Sequence, residues 1–387
     1  MMKVSTRLDG IGEYYFSKKL KEIQLLNLSG QAVINLGIGS PDLPPHESVI
    51  AVLKEEASKP NVHAYQSYRG ADALRNSFAK WYKQCYDVDV DAASEILPLI
   101  GSKEGIIHIC MTYLNQGDQA LIPNPGYPTY KSAVQLSGAT CIEYNLKEEN
   151  DWSIDFDELE DIDLTKVKLM WVNYPHMPTG KLPTAKLFER LVAFAKKHSI
   201  LICHDNPYSF ILNENPMSLL ATTGAKEVAI ELNSLSKSHN MAGWRMGVMC
   251  GAKERIDEVI QFKSNMDSGM FLPVQLAAAK ALSLGKDWFQ QLNKEYQLRK
   301  QKVYELLDLL NCSYNREQVG LFVWAKIPLQ YNNGYQLSDE VLNNARVFIT
   351  PGGIFGSEGD NYVRVSLCST VEIFEHSINR IKSISTK

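Results

Sequence analysis

Six short apolar runs, at 96–100, 119–122, 168–172, 200–204, 228–232 and 247–250, punctuate the middle of the chain, with helical patterns between several of them. That alternation is the mark of a parallel sheet assembled from βαβ units. The stretch 186–198 puts Leu187, Leu191, Phe194 and Ala195 on one helical stripe, and 104–115 suits a second helix opened by Gly101-Ser102. From 276 to 310 the pattern is strongly helical with mixed charge, and short strand candidates follow at 320–326 and 362–367. The expectation is an α/β protein: a large domain with a mostly parallel central sheet flanked by helices, plus a smaller α/β domain. Residues 1–45 form an N-terminal arm and part of the small domain, 46–280 the large domain, and 281–387 the C-terminal small domain, to within several residues.

At 387 residues the chain is long enough for two to three domains of about 150 residues and for a buried site. Hydrophobic content of 45% and charged content of 22% are ordinary for a globular protein. A net charge of −4 gives no basic excess, so nucleic acid is not expected as a partner. Seven scattered cysteines include no Cys-x-x-Cys pair, which points to neither a zinc site nor a disulfide framework, and no metal is expected. No apolar run reaches about 18 residues, and the first twelve residues lack the apolar stretch of a signal peptide. The chain reads as cytoplasmic, with no membrane partner.

Chemistry-bearing residues follow five of the apolar runs directly. Gly101-Ser102-Lys103 follows the first, Pro125-Gly126-Tyr127 the second, Asn173-Tyr174-Pro175 the third, Asp205-Asn206-Pro207-Tyr208 the fourth, and Ser234 to Lys237 the fifth. Ligands of open α/β sheets bind beyond the carboxyl ends of the strands, so five loops converge on one crevice. Most lysines are solvated surface charges. Lys237, held at the end of a buried strand, is better placed to form an imine with an aldehyde, because burial favours the neutral, nucleophilic amine. Each companion has a plain alternative. Gly101-Ser102 can simply cap a helix, Asp205 can be an N-cap, Tyr127 a loop aromatic, and Arg245 a surface charge. Together they fit an aldehyde that carries a phosphate, an aromatic ring and a basic ring nitrogen. Lys237 forms the imine, Asp205 keeps the nitrogen protonated, a helix N-terminus and Arg245 clamp the phosphate, and an aromatic residue stacks on the ring. Pyridoxal 5′-phosphate (PLP) has those parts.

The motifs Leu36-Gly37-Ile38-Gly39-Ser40-Pro41-Asp42, Ser234-Leu235-Ser236-Lys237, Gly243-Trp244-Arg245-Met246-Gly247 and Tyr362-Val363-Arg364-Val365-Ser366 resemble those of class I/II, fold type I aminotransferases. The likeness runs nearly end to end, and the lysine block resembles branches containing LL-diaminopimelate and methionine aminotransferases. The resemblance implies PLP-dependent transamination between an L-amino acid and a 2-oxo acid, ping-pong through a Lys237 Schiff base. It implies that Asp205 partners the ring nitrogen, that Tyr208 donates to the phenolic oxygen and that Asn173 belongs to the cofactor-binding set. Tyr127 would stack on the ring, and Gly101, Ser102, Lys103, Ser234 and Arg245 would form the phosphate cup. Arg364 would grip the substrate α-carboxylate beside Gly39. Tyr65 would reach the phosphate of a neighbouring subunit, which implies a homodimer with shared sites.

Two departures matter. Where the family has Asn-Pro-Thr-Gly, this chain reads Met177-Pro178-Thr179-Gly180, and a thioether cannot donate the hydrogen bonds of an amide. Water, Asn173 or His176 are possible compensators. Where dicarboxylate-specific relatives place an arginine, before Ser264-Asn265, the chain has Lys263. A C–S lyase or other elimination enzyme on the same fold is the alternative that Met177 motivates. A non-catalytic PLP-binding homologue is a further one, against which the complete Lys, Asp, Tyr and Arg set argues. Whether the segment with Tyr14, Tyr15 and Phe16 closes over the site is left open.

Overall fold

Among the described residues twelve strands follow one another as β1 (Ile34–Asn35), β2 (Ile96–Leu99), β3 (Gln119–Asn124), β4 (Thr140–Asn145), β5 (Val167–Asn173), β6 (Leu201–Asp205), β7 (Ala229–Ser234), β8 (Gly247–Gly251), β9 (Phe322–Lys326), β10 (Val347–Phe348), β11 (Thr350–Pro351) and β12 (Tyr362–Ser366). The computed structural model describes residues 2–9, 11–13 and 15–385, so Tyr14 lies outside the described residues. Seven strands form the main sheet in the order β2-β8-β7-β6-β5-β3-β4. Every pairing in it is parallel except those of β8, which runs antiparallel to both β2 and β7. The carboxyl ends of the other six therefore share one edge, and β8 starts from that same edge.

All six expected central strands are present, with ends within two residues of the apolar runs, and β5, β6, β7 and β8 are almost wholly buried. Helices cover both faces, as continuous apolar strands require. One of them, Ala185–His198, is capped by Thr184, whose side chain accepts a hydrogen bond from the Leu187 amide at 3.1 Å. It buries Phe188, Leu191, Val192, Phe194 and Ala195, while Leu187 sits half-buried at the margin. The sequence pattern does not reveal β4. This edge strand is largely uncovered, and Thr140 and Glu143 interrupt its apolar residues.

A second apolar core lies under β9, β10, β11 and β12 and the helices Lys286–Leu309, Gly334–Ala345 and Val371–Ser385. The three-stranded sheet has the order β11-β12-β9, and β1 pairs in parallel with β10, so residues from near both ends of the chain meet there. The 276–310 stretch is two helices, Leu272–Leu282 and Lys286–Leu309, separated at Gly285, which caps the second. Among the described residues no helix is long and apolar enough to cross a membrane.

Candidate active site

The strand ends open into a cavity of about 600 Å³ between the two cores. Strand register places Asn173 of β5 beside Asp205 of β6, and Ser234 of β7 beside Gly247 of β8. From Ser234 the chain enters a single helical turn, Leu235–Ser238, with the Ser234 hydroxyl accepting from the Ser236 amide at 3.1 Å. That turn aims Lys237 into the cavity, where its Nζ donates to the Gly39 carbonyl at 2.6 Å. Burial holds the Lys237 ammonium below the ordinary lysine value, opposed in part by Cys368 and reinforced by Arg364 and Arg245.

Asp205 is 4% exposed. Its Oδ2 accepts from the Tyr130 hydroxyl at 2.8 Å, whereas its Oδ1 has no partner. Burial pushes the carboxyl up to about 6, against the opposing pull of the Tyr130 hydrogen bond and of His204. Tyr130 is itself fixed by stacking on Trp171, with centroids 5.1 Å apart and planes 10° from parallel. Tyr127, which lines the cavity, is the N-cap residue of the helix Pro128–Leu136 and meets Tyr130 edge-on.

The helix Ser102–Tyr113 begins at the cavity with Gly101 as its cap. A side chain at Gly101 would collide with the Arg245 guanidinium, since an added Cβ would lie 2.1 Å from Nη2. At Gly247 an added Cβ would lie 2.7 Å from the Ser102 amide nitrogen. The absence of both side chains lets Arg245, the Ser234–Ser236 turn and the helix N-terminus crowd around one corner, and Ser234 and Ser236 hydroxyls bond at 2.9 Å. Free amide hydrogens, hydroxyls and a guanidinium there make an anion cradle. At the other end Arg364 comes from β12, with Nη2 donating to the Gly37 carbonyl at 2.8 Å and its guanidinium 3.8 Å above the Phe322 ring.

Of the residues expected from sequence, Gly39, Ser102, Lys103, Tyr127, Asn173, Met177, Asp205, Tyr208, Ser234, Lys237, Arg245 and Arg364 all line this cavity. Gly101 contributes from behind Arg245. Tyr65 does not reach it: the side chain is 91% exposed on the surface of the chain. Lys263 is also elsewhere. It is 1% exposed and paired with Asp267 and, at 3.6 Å, with Glu104. Glu104, His108 and Asp267 bring three potential metal-ligand atoms within 4.8 Å, but the Lys263 ammonium already sits against both carboxylates.

A family model described as aminotransferase class I and II matches residues 31–381. The chain belongs to that family. LL-diaminopimelate aminotransferases from Dehalococcoides mccartyi and Halothermothrix orenii are 38% and 37% identical to it over the full length of both chains. The apo structure of BacF from Bacillus subtilis, 35% identical, superposes with a TM-score of 0.95 over 99% of this chain and 98% of its own. The protein is thus a PLP-dependent aminotransferase of fold type I, and these relatives favour transamination over elimination. The cavity fits the cofactor. The partnerless Asp205 Oδ1 suits a protonated ring nitrogen, and the corner cleared by Gly101 and Gly247 suits a phosphate.

In this aminotransferase the Met177 departure is not made good by the residues nearest to it. Asn173 is occupied with backbone: its Nδ2 donates to the Asp205 carbonyl at 2.6 Å and its Oδ1 accepts from the Met177 amide at 2.7 Å. His176 is buried outside the cavity lining, its Nδ1 2.8 Å from the Thr179 hydroxyl, and burial depresses its ring to about 3. Met177 instead sets its sulfur 3.3 Å from Arg364 Nη1. Sequence reasoning missed Tyr130, although it lies one helical turn past Tyr127. It also missed Leu20, Phe322 and Phe355 in the cavity wall, which no local motif announces, whereas Phe16, from the segment whose closure was left open, and Ile38, from the Leu36–Asp42 motif, both line it.

Proposed function

We propose that Lys237 would hold the cofactor covalently through Nζ and that the same nitrogen, when free, would take up and return the substrate Cα proton. Its lowered basicity supports this role, since the amine must be neutral to accept that proton. When bound, PLP supplies the aldehyde and an electron-withdrawing ring that makes the Cα proton removable. Asp205 keeps the ring nitrogen protonated, and Tyr130 holds the Asp205 carboxylate in place. Ser102, Lys103, Ser234, Ser236 and Arg245 hold the phosphate, Tyr127 stacks on the ring, and Tyr208 with Asn173 faces the phenolic side. Arg364 binds the substrate α-carboxylate, with the Gly39 segment beside it. Full exposure of Tyr65 on one chain supports its serving a second copy, in a homodimer with shared sites. Amino-acid metabolism in the cytoplasm is the setting this reading implies.

The observation that carries the proposal is the meeting of Lys237, the partnerless Asp205 Oδ1, Arg245 and Arg364 around one cavity. Borohydride reduction of the purified holoenzyme, followed by peptide mapping, tests it. The expected label is on Lys237. A label on another lysine, or a protein without cofactor absorbance, would remove the assignment.

A further inference from the structure

The helix Ser102–Tyr113 turns its first residues toward the anion cradle, and the third of them, Glu104, is a carboxylate that stands outside the cavity lining. Its Oε2 accepts from the backbone amide of Ile100, on the other side of the Gly101 cap. Its Oε1 lies 2.8 Å from His108 Nε2 and 3.6 Å from Lys263 Nζ. Lys263 ends the helix Lys253–Lys263 and is paired in turn with Asp267. His108 is fully buried and meets the Phe262 ring edge-on, with centroids 5.4 Å apart.

The effect falls on the backbone that leads into the cradle. Gly101 holds φ at +77°, and its amide donates to the Leu99 carbonyl at 2.8 Å. With the Ile100 amide given to Glu104, both amides ahead of the helix are turned back into the protein. The opening amides of a helix have no acceptor inside it, so the chain that leads in decides where they point. Glycine leaves such a lead-in free to wander unless something ties it. A carboxylate in the first turn suits the helix dipole but opposes a phosphate at the same end, and the Lys263 ammonium offsets that repulsion. Resting on the phosphate assignment above, we propose that Glu104, held by Lys263 and His108, is a positioning residue that sets the Ile100–Ser102 turn before the cofactor's phosphate arrives. Every group in this tie belongs to one chain, and Lys263 is 1% exposed, so the tie is complete whatever Tyr65 adds to the cradle of a neighbouring subunit.

Two conservative variants separate reach from charge. Glu104→Asp keeps the charge but withdraws the carboxylate from Ile100 by one methylene, whereas Glu104→Gln gives up the charge and keeps an oxygen at the same reach. The measurement is the dissociation constant of the apoenzyme for PLP and for pyridoxal, which lacks the phosphate, read from cofactor absorbance. The parent should prefer PLP. Glu104→Asp should lower that preference about tenfold, and Glu104→Gln by less than about threefold. The fall should persist when Tyr65→Phe is present in both parent and variant. General damage to the fold would instead weaken both ligands in parallel. That parallel weakening, an unchanged preference in Glu104→Asp, an equal fall in Glu104→Gln, or a fall that vanishes with Tyr65→Phe overturns the positioning role and leaves the phosphate assignment intact. A parent that binds PLP and pyridoxal equally removes the phosphate assignment itself. Hydrogen exchange in the parent needs no variant to fold: the Ile100 amide should be protected in the apoenzyme to within about tenfold of its protection after reconstitution. An Ile100 amide that exchanges freely until PLP is added also overturns the proposal.

Discussion

Two lysines in this enzyme are withdrawn from water in opposite ways. Lys237 is largely buried with a backbone carbonyl as its partner and two arginines among its charged neighbours, Arg364 and Arg245. Lys263 is buried more deeply, on the outer side of the helix that starts at the anion cradle, and is enclosed by the carboxylates of Asp267 and Glu104. Burial is common to both, and the sign of the surrounding charge separates them. Burial, reinforced by Arg364 and Arg245, favours the neutral, nucleophilic form of Lys237, whereas Lys263 lies between two carboxylates and acts as a structural tie.

Exchanging the consequences of the two sites is the strongest test of this contrast. Lys237→Ala should lower kcat at least about a thousandfold. Its urea midpoint should stay close to that of the parent, because the residue gives up one hydrogen bond. Lys263→Met should do the reverse, costing about 3–5 kcal/mol by leaving two carboxylates without their buried cation. Borohydride labelling of Lys237 should survive in it. Comparable damage to stability in both variants would erase the distinction.

Asp205 sharpens the comparison because its surroundings contain no full ion pair. Its proton is bound more tightly in the fold, to about 6, than in the unfolded chain. The protonated carboxyl is thus accommodated below pH about 4, and stability is lost as pH rises through about 6, by about 3 kcal/mol in the cofactor-free protein. Urea midpoints of the apoenzyme across that range should fall, and those of Asp205→Asn should stay flat over the same interval. With cofactor bound, the protonated ring nitrogen should reverse the trend. A smaller effect is expected at Tyr130. Tyr130→Phe removes a donor to Asp205 Oδ2, and cofactor retention should weaken about tenfold as measured by dialysis and absorbance.

The gathering of Lys237, Asp205 and Tyr127 was legible because each follows an apolar run in the sequence and strand direction brings the ends together, and Arg245 because it lies eight residues after Lys237, just before the next run. Tyr130 was not. Its contact with Asp205 spans 75 positions and depends on how the helix Pro128–Leu136 leans on Trp171. The reversed direction of β8 was hidden for a related reason: an apolar run has no polarity, and only pairing with β2 and β7 assigns one. The apolar wall was least visible, since Phe16 is 348 positions from the Arg364 guanidinium it faces. Met177 was noticed as an oddity, but its partner could be learned only from the packing.

The excursion from Ser234 to Gly247 leaves the sheet at β7 and returns to it at β8, with its two feet paired across neighbouring strands. Lys237 and Arg245 both ride on this one loop. In effect it is a caliper: on the proposed reading of the site, one jaw would close on the aldehyde end of the cofactor and the other on its phosphate. The span between the jaws would then gauge the length of the cofactor. A residue inserted between His239 and Trp244 would move the phosphate jaw alone. Such a variant should still capture pyridoxal, which lacks the phosphate, while losing its preference for the phosphorylated form.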